Sequence, residues 1–201
     1  KYIDGSWTQL GDDIDGEARD DYSGESVSLS SDGTIVAIGA YRNDGSFSDA
    51  GHVRVYKYNG SAWTKLGDDI DGEAAGDKSG WSVSLSSDGT IVAIGAPEAD
   101  IGNYAGHVRV YKYNGSAWTK LGDDIDGEAA GDKSGWSVSL SSDGTTVAIG
   151  ASGNDGTASD AGHVRVLKYI DGAWGQLGTD INGEAAGDKS GQSVSLSSDG
   201  T

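Results

Sequence analysis

Residues 50–90, AGHVRVYKYNGSAWTKLGDDIDGEAAGDKSGWSVSLSSDGT, recur letter for letter at residues 105–145, and looser copies flank both. A unit of this length cannot bury an apolar face alone. Its copies must stack on one another, which restricts the chain to a propeller, a solenoid or an array. Trp7, Trp63, Trp118 and Trp174 mark the phase at intervals of about 56 residues, and each opens the block W-x-x-L-G-x-x-I-x-G. On that phase the chain is one array: residues 1–59, 60–114 and 115–170 form three repeats, and 171–201 a partial fourth.

Each unit holds four strand candidates. Residues 62–66 alternate Trp63 and Lys65 with Thr64 and Leu66, and residues 82–86 read S-V-S-L-S, with Val83 and Leu85 on one face and small serines on the other. Residues 90–96, T-I-V-A-I-G-A, are apolar on both faces, as a strand held between neighbouring sheets must be. Residues 107–113 set Val108 and Val110 against His107, Arg109, Tyr111 and Tyr113. No window of helical length carries a 3.6-residue stripe. Asp88-Gly89 and Asn59-Gly60 predict type I′ hairpin turns, in which both central residues take positive φ.

Four short antiparallel strands per repeat predict an all-β fold of propeller blades, as a partial propeller or an open or assembled blade array. A β-solenoid, with shorter coils of parallel strands, fits the hairpin signals less well. The loops at residues 41–50, 97–105 and 152–161 vary while their surroundings are copied, so individuality is expected there.

Composition narrows the partners. A formal net charge of -18 repels phosphate backbones and argues against nucleic acid, while leaving calcium, basic surfaces and neutral glycans open. There is no cysteine, hence no disulfide or thiolate-ligated metal. No apolar run approaches the roughly 20 residues of a membrane helix, so no membrane insertion is expected in this segment. A hydrophobic fraction of 35% raises the question of disorder, which the strand periodicity answers. Both ends cut through a repeat, so the chain reads as a segment of a longer protein.

Ser79-Gly80-Trp81-Ser82-Val83, the apolar run from Val92 to Pro97, and Gly106 to Tyr111 occur in the order F-G-x-S-V, G-A-P, G-x-V-x-V-Y. In this the chain resembles the FG-GAP repeat family, the blade type of integrin α-subunit propellers and related surface proteins. The resemblance implies a propeller at the cell exterior, and three repeats plus fragments are fewer than the seven blades usual for that family. Two departures stand out. Ser23, Ser79, Ser134 and Ser190 replace the family phenylalanine, so the ring between blades must come from elsewhere, with Trp81 and Trp136 as candidates. The family's calcium loop has shrunk to Ser86-Ser87-Asp88-Gly89, too few carboxylates to enclose a calcium ion.

The acidic block after each tryptophan strand is the remaining calcium candidate: Asp69, Asp71, Glu73 and Asp77, copied as Asp124, Asp126, Glu128 and Asp132. The competing reading is turn-forming, solvated acids, and no other cofactor is implied. His52, His107 and His163 recur once per unit in G-H-V-R-V, which favours a structural role over catalysis; Arg54, Arg109 and Arg165 are expected to pair with acids of an adjoining blade. Trp81 and Trp136 stand where Glu25 and Gln192 stand in other copies, which marks them as ligand-binding candidates. Asn59 and Asn114 satisfy the N-x-[ST] glycosylation rule at hairpin tips, although Asn-Gly is explained by the turn alone.

The expected function is non-enzymatic: an extracellular or cell-surface scaffold, adhesion or fibre-forming segment, associating with itself or with proteins or glycans outside the cell. The alternative is a lectin-like propeller with repeated carbohydrate sites.

Overall fold

The T-I-V-A-I-G-A stretches, apolar on both faces, become the most deeply buried strands: Ile35–Ala40, Ile91–Ala96 and Thr146–Ala151 are buried at every residue. In this computed structural model, residues 1–99 and 103–201 are described. Part of the variable loop at 97–105, namely Asp100, Ile101 and Gly102, lies outside the described residues.

Each buried strand sits second in an antiparallel sheet. The first blade runs Ser23–Leu29, Ile35–Ala40, His52–Tyr58, Trp63–Lys65, and Ile70–Asp71 pairs with the start of the third strand. The second blade runs Ser82–Leu85, Ile91–Ala96, His107–Tyr113, Trp118–Lys120, with Ile125–Asp126. The third runs Ser134–Leu140, Thr146–Ala151, His163–Ile170, Ala173–Gln176, with Ile181–Asn182. A two-stranded hairpin, Tyr2–Ile3 with Ser6–Trp7, precedes them. Among the described residues there is no helix. The fold is all-β and built of propeller-type blades.

The tryptophan strand closes a sheet rather than opening one: Trp63 pairs with Tyr58, Trp118 with Tyr113 and Trp174 with Tyr169. The sequence repeat and the sheet are therefore out of phase by one strand, because the Asn59-Gly60 hairpin joins strands of a single sheet.

The expected type I′ geometry is absent at both predicted turns. Gly60 (φ 102°) is left-handed and Asn59 is not; Gly89 (φ 69°) is left-handed and Asp88 is not. Side-chain bonds supply the reason. Asn59 Oδ1 accepts from the backbone N–H groups of Ser61 and Ala62, both at 3.0 Å, and replaces a rung of the ladder. Asp88 Oδ1 accepts from Thr90 N at 2.9 Å and from Ser86 Oγ at 2.7 Å. The I′ pattern of two successive positive φ values appears instead at Asp4-Gly5 (49°, 87°) and Asp171-Gly172 (53°, 92°).

Blades stack through alternate residues of each strand. Val92 and Ile94 pack against Ile35, Val53 and Val55 of the first blade. Ile91 and Ala93 point the other way, into a layer with Val138, Val147 and Ile149 of the third. Polar contacts repeat at every junction. Ser26 Oγ donates to Gly80 O at 2.7 Å, Ser82 Oγ to Gly135 O at 2.8 Å and Ser137 Oγ to Gly191 O at 2.8 Å. In return Leu85 N donates to Ser28 Oγ, and Leu140 N to Ser84 Oγ, both at 2.9 Å. At the rim, Trp63, Trp118 and Trp174 donate from Nε1 to the carbonyls of Leu10, Leu66 and Leu121, each at 2.7 Å.

The close approach of Gly135 O requires glycine at position 95, where an added Cβ would collide with that carbonyl. Gly95→Ala is expected to destabilise the fold by about 1–3 kcal/mol, the usual cost of overpacking, read as a lower urea midpoint. An unchanged midpoint would show that the blades can separate without loss.

Candidate functional site

Between one blade and the next the chain crosses over through D-D-I-D-G-E-A-A-G-D-K. Buried Ile70 anchors its start, and Gly72 N donates to Gly51 O at 2.8 Å. Gly72 allows this approach, since a Cβ there would meet the carbonyl of Ala50. Asp77, buried, accepts from Ala74 N at 2.9 Å and closes the turn; Asp132 does the same for Ala129 N at 2.9 Å. Burial raises the Asp77 carboxyl above the usual aspartate value, against the backbone bond from Ala74.

The crossover deals its carboxylates to two different blades. Asp71 stands in register with His52 of its own blade, its Oδ1 4.0 Å from His52 Nδ1. Asp69 accepts from Lys65 Nζ at 2.8 Å, and Asp124 from Lys120 Nζ at 2.8 Å; in each pair the hydrogen bond raises the lysine pKa. Glu73 instead reaches forward to Arg109 of the next blade, Oε1 to Nη1 at 2.9 Å. Glu17 and Glu128 likewise meet Arg54 and Arg165, at 3.7 and 3.8 Å. The arginines, expected to pair with acids of an adjoining blade, pair with glutamates of the crossover that leads into their own blade.

One motif adopts two arrangements. Around Arg54 and Arg165 the guanidinium donates from Nη2 to a crossover carbonyl, Asp15 O at 2.7 Å and Asp126 O at 2.6 Å. Their neighbours His52 and His163 lie with Nδ1 4.0 and 3.9 Å from Glu17 and Glu128. Around Arg109 the side chain has swung to its histidine, and Nε donates to His107 Nε2 at 3.0 Å. A cavity of about 480 Å³ opens beside that pair, lined by Glu73, Asp77, His107 and Asp126 among others. Burial lowers the pKa of His52 and of His163, against the pull of Asp69 and Asp180 respectively, so both imidazoles are held toward the neutral form.

The calcium grouping expected from the sequence does not assemble. Asp69, Asp71, Glu73 and Asp77 face a lysine, a histidine, an arginine and a backbone N–H in turn, and the copies Asp124, Asp126, Glu128 and Asp132 diverge in the same way. Nor does the shortened loop at Ser86-Ser87-Asp88-Gly89 fit a calcium ion, because Asp88 Oδ1 is taken up by Ser86 Oγ, Thr90 N and Thr90 Oγ1. Among the described residues, the carboxylates that do converge are Glu17 with Asp69 around His52, and Glu128 with Asp180 around His163. Sequence reasoning missed these groupings because Glu17 and Asp69 belong to successive crossovers. The available signal was the invariance of G-H-V-R-V beside the recurring glutamate.

Trp81 and Trp136 are brought together, with ring centroids 4.7 Å apart, and each is half-buried. Tyr41 stands 4.8 Å from Trp81 and Tyr22 5.3 Å from Tyr41, which extends the row across the first blade. The tryptophans thereby supply the inter-blade ring that the serines at the family's phenylalanine position cannot. Asn59 and Asn114 are exposed at their hairpin tips. The variable loops lean on the crossovers: Asn43 Nδ2 donates to Asp21 Oδ2 at 2.9 Å, and Thr157 Oγ1 to Gly183 O at 2.7 Å.

The family model described as FG-GAP repeat matches residues 125–167, which run from the crossover ahead of the third blade through that blade's third strand. Among curated proteins, none matches the sequence. Solved structures share the fold, among them these two. Hydrazine synthase of Kuenenia stuttgartiensis is similar over 100% of this chain at 16% identity, with a TM-score of 0.53. Sqt1 of Saccharomyces cerevisiae is similar over 81% at 16% identity, with a TM-score of 0.50. This chain spans 44% and 36% of those chains, and at such identity the likeness is one of fold alone.

The turn aspartates make stability depend on pH. Bonds from Thr145 N and Ser141 Oγ hold the Asp143 carboxyl below its usual value. At Asp88 burial works upward, but bonds from Thr90 N and Ser86 Oγ outweigh it and the net shift is downward. A depressed folded pKa gives stabilisation that is complete above the unfolded value, 3.8, and is lost as pH falls through the folded value. The contribution of these two carboxylates is therefore level above about pH 5 and declines below pH 3.8. Asp88→Ala combined with Asp143→Ala is expected to flatten this acid limb in urea titrations; a limb as steep as before would assign it to other carboxylates.

Proposed function

With residues 125–167 an FG-GAP repeat and the neighbouring blades copies of it, we propose that this chain is a non-enzymatic structural segment of the cell exterior, a scaffold that grows by adding blades. The observation that carries this reading is that one junction, with serine hydroxyls donating to glycine carbonyls, recurs from blade to blade, and that the first blade leaves its half of that junction open. Val83 and Leu85 are 9% and 7% exposed against the first blade, whereas their counterparts Val27 and Leu29 are 61% and 58% exposed. At the other end Ile181 is 59% exposed, while its counterparts Ile70 and Ile125 are buried. Leu29 also borders a cavity of about 490 Å³ with Trp7, Leu10 and Trp63. The two faces of a blade differ and fit each other, so any contact between copies through them would be head-to-tail and would give rings or filaments according to whether the rotation closes. Exposed sequons at Asn59 and Asn114 and an acidic surface of net charge -18 suit an extracellular setting.

The open face is read as the seat of a further blade, either of the same polypeptide or of a second copy. Light scattering is expected to give multiples of the 20.5 kDa chain that rise with concentration, and negative-stain images to show rings or filaments. Val27→Asp combined with Leu29→Asp should return the sample to monomer. A wild-type chain that stays monomeric at high concentration would count against self-assembly. Expression through a eukaryotic secretory route should add mass that an endoglycosidase removes; an unchanged intact mass would sink the glycoprotein reading.

The row Tyr22, Tyr41, Trp81, Trp136 favours a second reading, a carbohydrate-binding propeller, since half-exposed indoles can stack on sugar rings. Binding on a glycan array that is lost in Trp81→Ala and Trp136→Ala would support it. Because those rings also pack between blades, binding counts only where the variant keeps its wild-type urea midpoint.

A further inference from the structure

The grouping at the first blade holds a feature that the structural role of the repeats does not use, and the third blade repeats its residues. His52 is 2% exposed and its Nε2 has no hydrogen-bond partner. Its Nδ1 faces Glu17 Oε2 and Asp71 Oδ1, each across 4.0 Å, too far for a hydrogen bond. A buried imidazole with neither nitrogen satisfied by a hydrogen bond is costly unless something else occupies the gap. Glu17, His52 and Asp69 each place a ligand-capable atom within 4.8 Å of the other two, and so do Glu128, His163 and Asp180.

We infer that each of these two clusters binds one divalent transition ion of the zinc class, through one imidazole nitrogen and two carboxylate oxygens, with the fourth position open to water. One nitrogen and two oxygens suit a borderline ion better than calcium, which takes six or more oxygens. A tetrahedral ion with bonds of about 2.1 Å separates its ligand atoms by roughly 3.4 Å, so ligand atoms that now lie within 4.8 Å of one another must draw together by up to about 1.4 Å to close both sites.

Charge favours a cation at both. Around His52, Glu17, Asp69 and Asp71 face Arg54 and Lys65, leaving one carboxylate in excess. Around His163 the surroundings have changed, yet the excess is the same: Glu128 and Asp180 face Arg165, while Gln176 and Asn182 stand where Lys65 and Asp71 stand in the first blade. Gln176 Nε2 still donates to Asp180 Oδ1 at 2.6 Å, orienting the carboxylate as Lys65 orients Asp69. The middle blade contains the same residue types, Glu73, His107 and Asp124, but there Arg109 fills the gap by donating to His107 and pairing with Glu73. That arrangement is the metal-free alternative of the same site, and an ion must displace the arginine to bind there.

The test is a Zn²⁺ titration of the metal-stripped chain by calorimetry, with Co²⁺ absorption as a spectroscopic signature. Two ions per chain are expected, with an intense visible Co²⁺ spectrum of four-coordinate type. Glu17→Gln combined with Glu128→Gln should abolish both, and His52→Ala and His163→Ala should each remove one, with far-UV circular dichroism reporting for every variant that the blades remain. Millimolar Ca²⁺ should leave the bound Zn²⁺ in place. Absence of uptake, uptake indifferent to the glutamate pair, or displacement by Ca²⁺ would each overturn the assignment.

Discussion

Ser82 donates its hydroxyl to the carbonyl of Gly135 on the next blade, and the spacing that bond imposes runs through the whole structure. It brings two backbones so close that position 95 must be glycine, and the same holds for Gly39 beneath Gly80 and Gly150 beneath Gly191. It also explains the small residues on one face of S-V-S-L-S: the serines of one blade reach forward while the Val and Leu of the next reach back. The junction is thus apolar in its middle and hydrogen-bonded along its inner edge. Net contributions of about 1 kcal/mol per bond accumulate over the repeated junctions, and the polar bonds add what the apolar layer lacks, a single register.

That register determines where the crossover chemistry falls. Once the blades are in phase, each crossover lies over the start of the third strand of its own blade while its glutamate reaches the following one. A glutamate of the preceding crossover then meets the arginine, and beside it the histidine, of the following third strand, as Glu17 meets Arg54 and His52. The copies are nearly identical in sequence, yet Arg109 bonds its histidine while Arg54 and Arg165 bond a backbone carbonyl. One motif thus holds its arginine in two different hydrogen-bonding arrangements.

Much of the architecture was legible because it is local. Period-2 alternation in S-V-S-L-S and an apolar run of strand length are properties of a few adjacent residues, and repetition supplied the stacking. The turn types were not legible. Asn59 and Asp88 have the composition of a type I′ turn, but their side chains capture nearby backbone N–H groups and leave the left-handed conformation to glycine alone. The phase of the blade was hidden for a related reason: tryptophan is the most conspicuous letter of the repeat, yet Trp63 pairs backwards to Tyr58, and only strand pairing reveals which sheet it ends.

By itself the sequence determined the class of fold, the length of the repeat, the burial of the I-V-A-I-G-A strand and the acidic, cysteine-free surface, since these follow from periodicity and composition. The tertiary structure alone decided which acids meet. Asp69, Asp71, Glu73 and Asp77 are neighbours in the chain and look like one ligand set, but Asp69 and Asp71 face Lys65 and His52 of their own sheet, Glu73 reaches Arg109 of the next, and Asp77 closes its own turn. Glu17 and Asp69 belong to different repeats, yet both converge on His52, because stacking brings together what the chain separates by a full blade.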